Sequence, residues 1–368
     1  MRVLETNHST HSPLLLAEPA VLTVKSFAET RAAEWDDYVF HTPAATFCHL
    51  SGWSRVIERT WQHQSYSLYA ERAGAIVGVL PLFHVQSYLF GSMLVSTPNA
   101  VYGGVVADDA EAHQALIAEA KRLALKLRVD YLELRDASEE SDDTHDPTLH
   151  RKELYVTFEH SISMDQEALM QSFPRDLRRM IRQGPKHNLT SEVGQAELLD
   201  EFYDVYATSV RSLGTPVFPK RLFAEFLREF PKACDILVVR QGARVAGAVM
   251  SFYFRDTVLP YYGGAYQEFY RAGINNFMYW ELMCHAAARG CTRFDFGRSK
   301  LGTGAYAFKH GWGMTERPLP YKYFLVRAEQ MPNLNPTNPK FELMIAAWKR
   351  LPLGVTKLLG PMIVRNLP

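Results

Sequence analysis

Cysteine is scarce in this 368-residue chain, with four copies at Cys48, Cys234, Cys284 and Cys291. No two of them make a Cys-x-x-Cys pair, and thirteen histidines include no His-Glu-x-x-His run. These absences argue against a zinc site and against a disulfide framework. Net charge is missing too: forty basic residues balance forty acidic ones, so no global field draws the chain to nucleic acid. Long apolar runs are absent, and Pro13 to Ala17 is too short for a signal-peptide core. The expected location is the cytoplasm, with no metal bound.

What is present is a globular composition, 47% hydrophobic and 12% aromatic, enough for two cores of ordinary size. Residues 1–20 read as a loose leader. From Gly52 to Glu58 the spacing is helical; Ser67–Arg72 and Ile76–Val85 read as strands around an Ala73-Gly74 turn. Val95–Val106 carries Tyr102-Gly103-Gly104, residues 111–128 are amphipathic, and Tyr131–Arg135 is again a strand.

The order recurs. Ile236–Arg240, a Gln241-Gly242 turn and Arg244–Phe254 form a hairpin, followed by Leu259–Ala265 with Tyr262-Gly263-Gly264. A helix from Asn275 to Arg289 and a strand Phe294-Asp295-Phe296 close the unit. Gly78 and Gly247, Gly103 and Gly263, Glu133 and Asp295 stand 169, 160 and 162 residues apart. Such a separation far exceeds a solenoid repeat and points to a duplicated unit. The organisation expected is a leader over 1–20, a first unit over 21–150, a second over 151–328 and an amphipathic helical tail over 329–368. Within it, Ser138 to His150 reads as an exposed polar loop.

The richest stretch runs from Phe294 to Gly313. It reads as a buried strand opening onto a loop where Gly297, Gly302 and Gly304 free the main chain beside Arg298, Lys300 and Lys309. Exposed amides flanked by cations suit a phosphate-bearing ligand, with Ser299 and Tyr306 as further contacts. Lys309 is a phosphate clamp or a solvated lysine, and its place between aromatics favours the clamp. Arg298 either binds ligand or pairs with Asp295 or another carboxylate.

Asp295 alternates with Phe294 and Phe296 and so faces away from both; it orients an amine, or is satisfied by loop amides. Tyr262 contacts a ligand or fills core, and Glu281 faces the cleft or water. Asn275 is first a helix N-cap and second a ligand contact. Arg178 and Arg182 belong to an arginine-rich helix from Pro174 that ends at a Gly184-Pro185 break. That helix binds a diphosphate or RNA, touches an anionic membrane, or is a solvated face. The segment Phe341–Val364 packs on the second unit or lies on a membrane.

The helix Arg178-Arg179-Met180-Ile181-Arg182, the strands Tyr262-Gly263-Gly264 and Phe294-Asp295-Phe296-Gly297, and Phe308-Lys309-x-x-Trp312-Gly313 together resemble the Fem-type acyltransferases. The likeness runs from about Trp35 to Arg327. The segments Leu213–Pro219, Met278–Met283 and Asn335–Lys340 are similar to the branch associated with exosortase and PEP-CTERM exopolysaccharide systems. The resemblance implies an α/β (α+β layered) fold of two tandem GNAT-like units, each a mixed, mostly antiparallel sheet flanked by helices.

It also implies an N-acyl- or aminoacyltransferase. The donor would be acyl-CoA, such as acetyl-CoA, or aminoacyl-tRNA, and the acceptor an amine on a nucleotide- or lipid-linked glycan or peptide precursor. Lys309 would contact acceptor phosphates, tRNA is a candidate partner, and the inner membrane a candidate surface. A non-catalytic scaffold in polysaccharide assembly is the alternative. Two departures stand out: no long helical-hairpin arm is present, and Ser299 occupies the basic position of the acyl-CoA signature, with Arg298 one place early. Neither a Gly-x-Ser-x-Gly run nor a cysteine in a Cys–His context appears, so direct attack by the amine fits better than a covalent intermediate.

Overall fold

The computed structural model describes residues 21–87, 91–137, 146–332 and 339–366. The expected leader, most of the polar loop after Ala137 and most of Asn335–Lys340 lie outside them. The first half runs β1 (Leu22–Ser26), α1 (Ala32–His41), α2 (Ser51–Trp61), β2 (Gln64–Ser65), β3 (Leu68–Arg72), β4 (Ala75–Leu80), β5 (Phe83–Ser87) and β6 (Gly91–Val95). It continues through β7 (Val106–Ala107), α3 (Ala110–Leu127), β8 (Tyr131–Arg135) and β9 (His150–Ser161). The second half begins with α4 (Gln166–Gln171), α5 (Arg175–Ile181), α6 (Gln183–Lys186), β10 (Leu189–Gly194), α7 (Leu199–Leu213) and α8 (Lys220–Glu229). Then come β11 (Cys234–Gln241), β12 (Arg244–Phe254), β13 (Thr257–Ala265), α9 (Ile274–Ala288), β14 (Arg293–Asp295), β15 (Ser299–Lys300), α10 (Gly304–His310) and β16 (Thr315–Leu325). Two helices close the chain, α11 (Pro339–Arg350) and α12 (Leu353–Val364).

The repeat read from the glycine landmarks is visible as structure. Gly78 and Gly247 sit in β4 and β12, and Glu133 and Asp295 sit in β8 and β14. In each half a strand runs parallel to the one that follows the long helix: β6 with β8, and β13 with β14. Helix α3 starts where Asp109 accepts from Ala112 N at 2.8 Å, and it buries Leu116, Ala120 and Ala124 at helical spacing.

The halves differ at Pro81. The strand expected to run unbroken from Ile76 to Val85 is two strands, because proline has no N–H for the ladder. β4 ends at Leu80 in a four-stranded sheet ordered β1-β3-β4-β7, whereas β5 belongs to the large sheet. The equivalent β12 is continuous from Arg244 to Phe254. The segment between β6 and β7 therefore connects the two sheets.

The large sheet runs β10-β11-β12-β13-β14-β9-β16-β8-β6-β5-β2, with β15 beside β9. The last strand of each half is therefore exchanged. β9, the last strand of the first half, pairs with β14 of the second, and β16 returns to pair with β8 of the first. Separating the halves would break both ladders. The main hydrophobic cluster also spans them: Phe47 of the first half stacks on Phe252 of the second at 4.6 Å between ring centres.

Two expectations need correction here, and the two readings of the tail are resolved toward packing. The Gly184-Pro185 pair does not end the helical path, since both lie in the short α6; proline is tolerated in a first turn, and a Cβ on Gly184 would come within 2.3 Å of the Phe277 ring. Residues 304–310 are helix rather than loop, because the Thr303 hydroxyl caps Tyr306 N at 3.3 Å. The tail is two helices divided at Pro352. It packs on the second half: Trp348 Nε1 donates to Thr215 O at 3.1 Å, and Gly360 lies against the Val217 backbone.

Candidate active site

The site begins where two parallel strands part. β13 pairs with β14 only at Thr257 with Arg293 and Val258 with Phe294. Beyond that β14 stops at Asp295, while β13 runs on beside β12 to Ala265. The β12–β13 register slips between Met250 and Ser251, leaving Tyr261 as the extra residue of a bulge. The result is a wedge-shaped opening walled by the Tyr261–Ala265 main chain and the turn after Asp295.

The segment between β6 and β7 enters this opening. Val101 N donates to Tyr261 Oη at 2.6 Å, and Val101 O accepts from Tyr321 Oη at 2.5 Å. Tyr102 Oη donates to Asp295 Oδ2 at 2.5 Å. The segment turns at Gly103, whose φ of +137° and 1.7 Å clearance from Thr97 Oγ1 for an added Cβ admit only glycine. The two Tyr-Gly-Gly copies thus differ: Tyr262-Gly263-Gly264 is strand, and Tyr102-Gly103-Gly104 is the inserted turn.

Asp295 is buried and faces away from Phe294 and Phe296, whose rings join Tyr279 and Trp312. Besides Tyr102, it takes Thr157 Oγ1 at 2.5 Å and Gly297 N at 2.8 Å on Oδ1. Three donors hold it as an organiser of the turn. Burial, and then the Asp295 charge, push the Tyr102 phenol well above its ordinary value, so it remains a donor.

Lys309 lies elsewhere than the phosphate-clamp expectation places it. Its Nζ donates to Phe296 O at 2.6 Å, Gly297 O at 2.9 Å and Arg298 O at 3.3 Å. An ammonium has three protons, and three carbonyls of the turn take them. Burial lowers the group to about 8, against the favourable pull of Asp295.

Arg298 does not pair with Asp295. Its guanidinium stands 4.9 Å from the Tyr155 ring centre and 5.7 Å from that of Tyr321, and Nη1 donates to Tyr321 Oη at 3.3 Å. Among the described residues no carboxylate forms an ion pair with it. Next to it, Ser299 Oγ and Lys300 Nζ are buried atoms with no hydrogen-bond partner among the described residues. Tyr262 is 7% exposed, its hydroxyl also unpartnered, among the rings of Tyr206, Phe218 and Phe223. Burial raises its phenol too.

The other expected site residues scatter. Gly302 and Gly304 are exposed, Gly302 with φ +74°. Tyr306 Oη donates to Glu316 Oε2 at 3.0 Å. Glu281 accepts from Ser191 Oγ at 2.6 Å, on β10, which lies four strands or roughly 19 Å across the sheet from β14. Asn275 is not the N-cap, because the helix starts at Ile274: Gly273, two residues before Asn275, holds that position with φ +70°. Arg178 is half-buried and Arg182 exposed, at the α5 end that abuts α9; a Cβ on Gly273 would come 2.5 Å from Met180 O.

Sequence reasoning missed Thr157, Tyr155 and Tyr321 as site residues. They come from the exchanged strands β9 and β16 and carry no local signal. Tyr102 was visible only as part of a repeated landmark. The equivalent place in the first half is closed by its own chain. Glu133 pairs with Arg135 Nε at 2.8 Å, and Arg135 Nη1 donates to Thr97 O and Ala100 O at 2.8 and 2.7 Å, all buried.

Among the described residues no group of histidine, cysteine, aspartate and glutamate could hold a metal, and no helix is long and apolar enough to cross a membrane. All four cysteines are unpaired.

Residues 171–310 match the acetyltransferase (GNAT) domain model, which covers the opening between β13 and β14 and both flanking helices. That stretch is therefore similar to a GNAT acetyltransferase domain. Its whole architecture is similar to the crystal structure of FemX, at 15% identity with a TM-score of 0.67, covering 88% of this chain and 100% of that one. It is also similar to a tandem GNAT protein from the clavulanic acid biosynthesis pathway, at 12% identity, TM-score 0.50, and coverage of 85% and 100%. A third similar structure is the C-terminal domain of a protein assigned as a lysylphosphatidylglycerol synthetase from Agrobacterium fabrum, at 14% identity, TM-score 0.54, and coverage of 86% and 96%. At these identities the likeness establishes the tandem GNAT-like fold. No curated protein matches the chain by sequence.

Proposed function

We propose that the chain is an N-acyltransferase that moves an acyl group from acyl-CoA to an amine of a cell-envelope or exopolysaccharide precursor. The reading rests most on Arg298, a guanidinium seated between two tyrosines at the mouth of the parted strands without a carboxylate partner among the described residues. Lys300 adds a second buried cation lacking a hydrogen-bond acceptor. Together they suit a phosphate of the acceptor. The donor would run along the Gly263–Ala265 edge of β13, beyond the inserted Val101–Gly103 segment, its diphosphate meeting the α9 N-terminus beside Arg178 and Arg182.

The amine attacks the thioester carbonyl directly. The N–C bond forms, the C–S bond breaks, and the CoA thiolate leaves with the amine proton released to solvent. Main-chain N–H groups at the Tyr261 bulge are the candidate donors to the developing oxyanion. Asp295, Tyr102 and Lys309 hold the turn that presents Arg298. The first half, closed by Glu133 and Arg135, is structural in this scheme.

The last two helices support an acceptor held at a membrane. Leu343, Met344, Leu358 and Met362 are 65–83% exposed, Leu343 and Met344 lie close in sequence to Lys349 and Arg350, and α12 has no acidic residue, its Lys357 being paired with Asp204. Such a surface suits an anionic leaflet bearing a lipid-linked precursor. Service in an exosortase-associated exopolysaccharide system is the setting that the sequence resemblance favours.

Calorimetric titration with acetyl-CoA, longer acyl-CoAs and aminoacyl-tRNA tests the donor. Micromolar binding of an acyl-CoA is expected. Binding of aminoacyl-tRNA alone would transfer the donor role to it, and binding of none would leave a scaffold.

A further inference from the structure

A cavity of about 1050 Å³ lies away from the parted strands, five strand positions along the sheet from β14, at the β5 end. One wall is the end of α2 with β2, β5 and β6; the other is the start of α8 and the end of α12. It shares no residue with the Asp295–Arg298 cluster.

Its chemistry is one-sided. Arg221, Arg327 and Arg365 all line it, and no aspartate or glutamate does among the described residues. Arg327 is held by Asp130 at 2.9 Å, whereas Arg221 Nε is only loosely served, 3.9 Å from Glu225. Arg365 forms no ion pair with a described residue. Three guanidinium groups around one space, two of them weakly neutralised, are suited to phosphate.

Deeper in, three neighbouring side chains have polar atoms buried without a partner among the described residues: Thr60 Oγ1, Trp61 Nε1 and His63 Nε2. Trp61 is 3% and His63 7% exposed, so solvent does little for either. Burial and the neighbouring Arg365 hold His63 neutral, with its value lowered to about 4. A neutral imidazole nitrogen and two hydrogen donors are what sugar hydroxyls and phosphate oxygens can satisfy. Gln64, Gln86 and Asn366 add amides, each able to donate and accept at once.

We propose that this cavity binds a phosphorylated sugar, with phosphate on Arg221 and Arg365 and the hydroxyls toward His63 and the amides. The volume leaves room for a phosphorylated sugar and for more ligand beyond it. The site is complete only with the C-terminal helix, because Arg365 and Asn366 lie at its end. The claim concerns binding alone and does not depend on the transfer reaction proposed above.

The test is calorimetric titration of the full chain with glucose 1-phosphate, inorganic phosphate and glucose, alongside flotation with vesicles containing phosphatidylinositol. Glucose 1-phosphate should bind at least tenfold more tightly than phosphate or glucose alone. The double variant Arg221→Ala, Arg365→Ala, at two exposed positions, should weaken it at least tenfold with an unchanged melting temperature. Vesicle binding displaced by glucose 1-phosphate would support the site and identify a lipid headgroup as its source; binding of the soluble sugar phosphate alone would support it with a soluble source. Equal affinity for phosphate and glucose 1-phosphate, no effect of the double variant, or no binding by either route would overturn the proposal. Because acyl-CoA binding is measured separately, this result and that of the transferase reading can fail independently.

Discussion

Tyr102 and Asp295, from opposite halves of the chain, meet across the parted strands in a buried hydrogen bond of 2.5 Å. It joins the segment between β6 and β7 to the turn that carries Arg298. Replacing Tyr102 with phenylalanine removes a donor from a buried carboxylate and should cost about 1.5–3 kcal/mol of stability, the usual range for hydrogen bonds to charged groups. A double-mutant cycle with Asp295→Asn should recover a coupling of that order in urea denaturation. Additive single effects would show that the two residues do not act together.

Arg298 should be separable from the fold. Arg298→Ala should weaken use of a phosphate-bearing acceptor at least tenfold, seen as a raised KM, with little change in acyl-CoA affinity. Arg298→Lys should recover only part, since an ammonium keeps the charge but loses the planar stacking on Tyr155 and Tyr321. Full activity of the alanine variant at limiting acceptor would remove Arg298 from the site.

Lys309 predicts a pH dependence of stability. Its folded value of about 8 lies below the ordinary 10.5. Between those values the unfolded chain keeps a proton that the folded chain releases, so stability from this group rises with pH across the window, by up to about 1.4 kcal/mol per unit. Below about pH 8 both states are protonated and the contribution is constant. Subtracting the denaturation curve of Lys309→Met from that of the parent isolates the slope, because the tyrosines titrating above pH 10 are common to both. A flat difference would contradict the burial argument.

His49 gives the opposite limb. It is buried and neutral: Nε2 lies 3.0 Å from Gly104 O, and Nδ1 takes Thr46 N at 3.0 Å. Its folded value is lowered to about 4, chiefly by burial. As pH falls from 6.5 toward 4 the unfolded state takes up the proton first, and stability is lost by up to about 1.4 kcal/mol per unit. His49→Gln should have a shallower acid limb, read from melting temperatures at pH 4 to 7.

The most exposed apolar residues of α11 and α12 should matter only at a lipid surface. Leu343→Asp with Leu358→Asp should lower partitioning to vesicles rich in anionic lipid by roughly tenfold or more, in line with losing two inserted side chains. Melting temperature should not fall, because both side chains are exposed. Equal vesicle recovery would dismiss the membrane contact.

Much of this molecule is written locally. Alternation and helical spacing placed α3, α9, β8, β11 and β12 to within a few residues, because each buries one face against its own neighbours. The recurrence of Gly78 with Gly247 and of Glu133 with Asp295 disclosed the duplication, and Phe294-Asp295-Phe296 disclosed a carboxylate facing away from two buried rings. What depends on chain pairing was hidden. Nothing near Thr157 or Tyr321 in sequence announces that β9 and β16 exchange halves, because pairing across more than a hundred residues is set by the whole sheet. Lys309 looked like a ligand for anions until the fold brought three carbonyls to its ammonium. Charge and spacing told which residues could do chemistry; only the tertiary arrangement, by filling or leaving open their hydrogen-bonding capacity, decided which ones are free to do it.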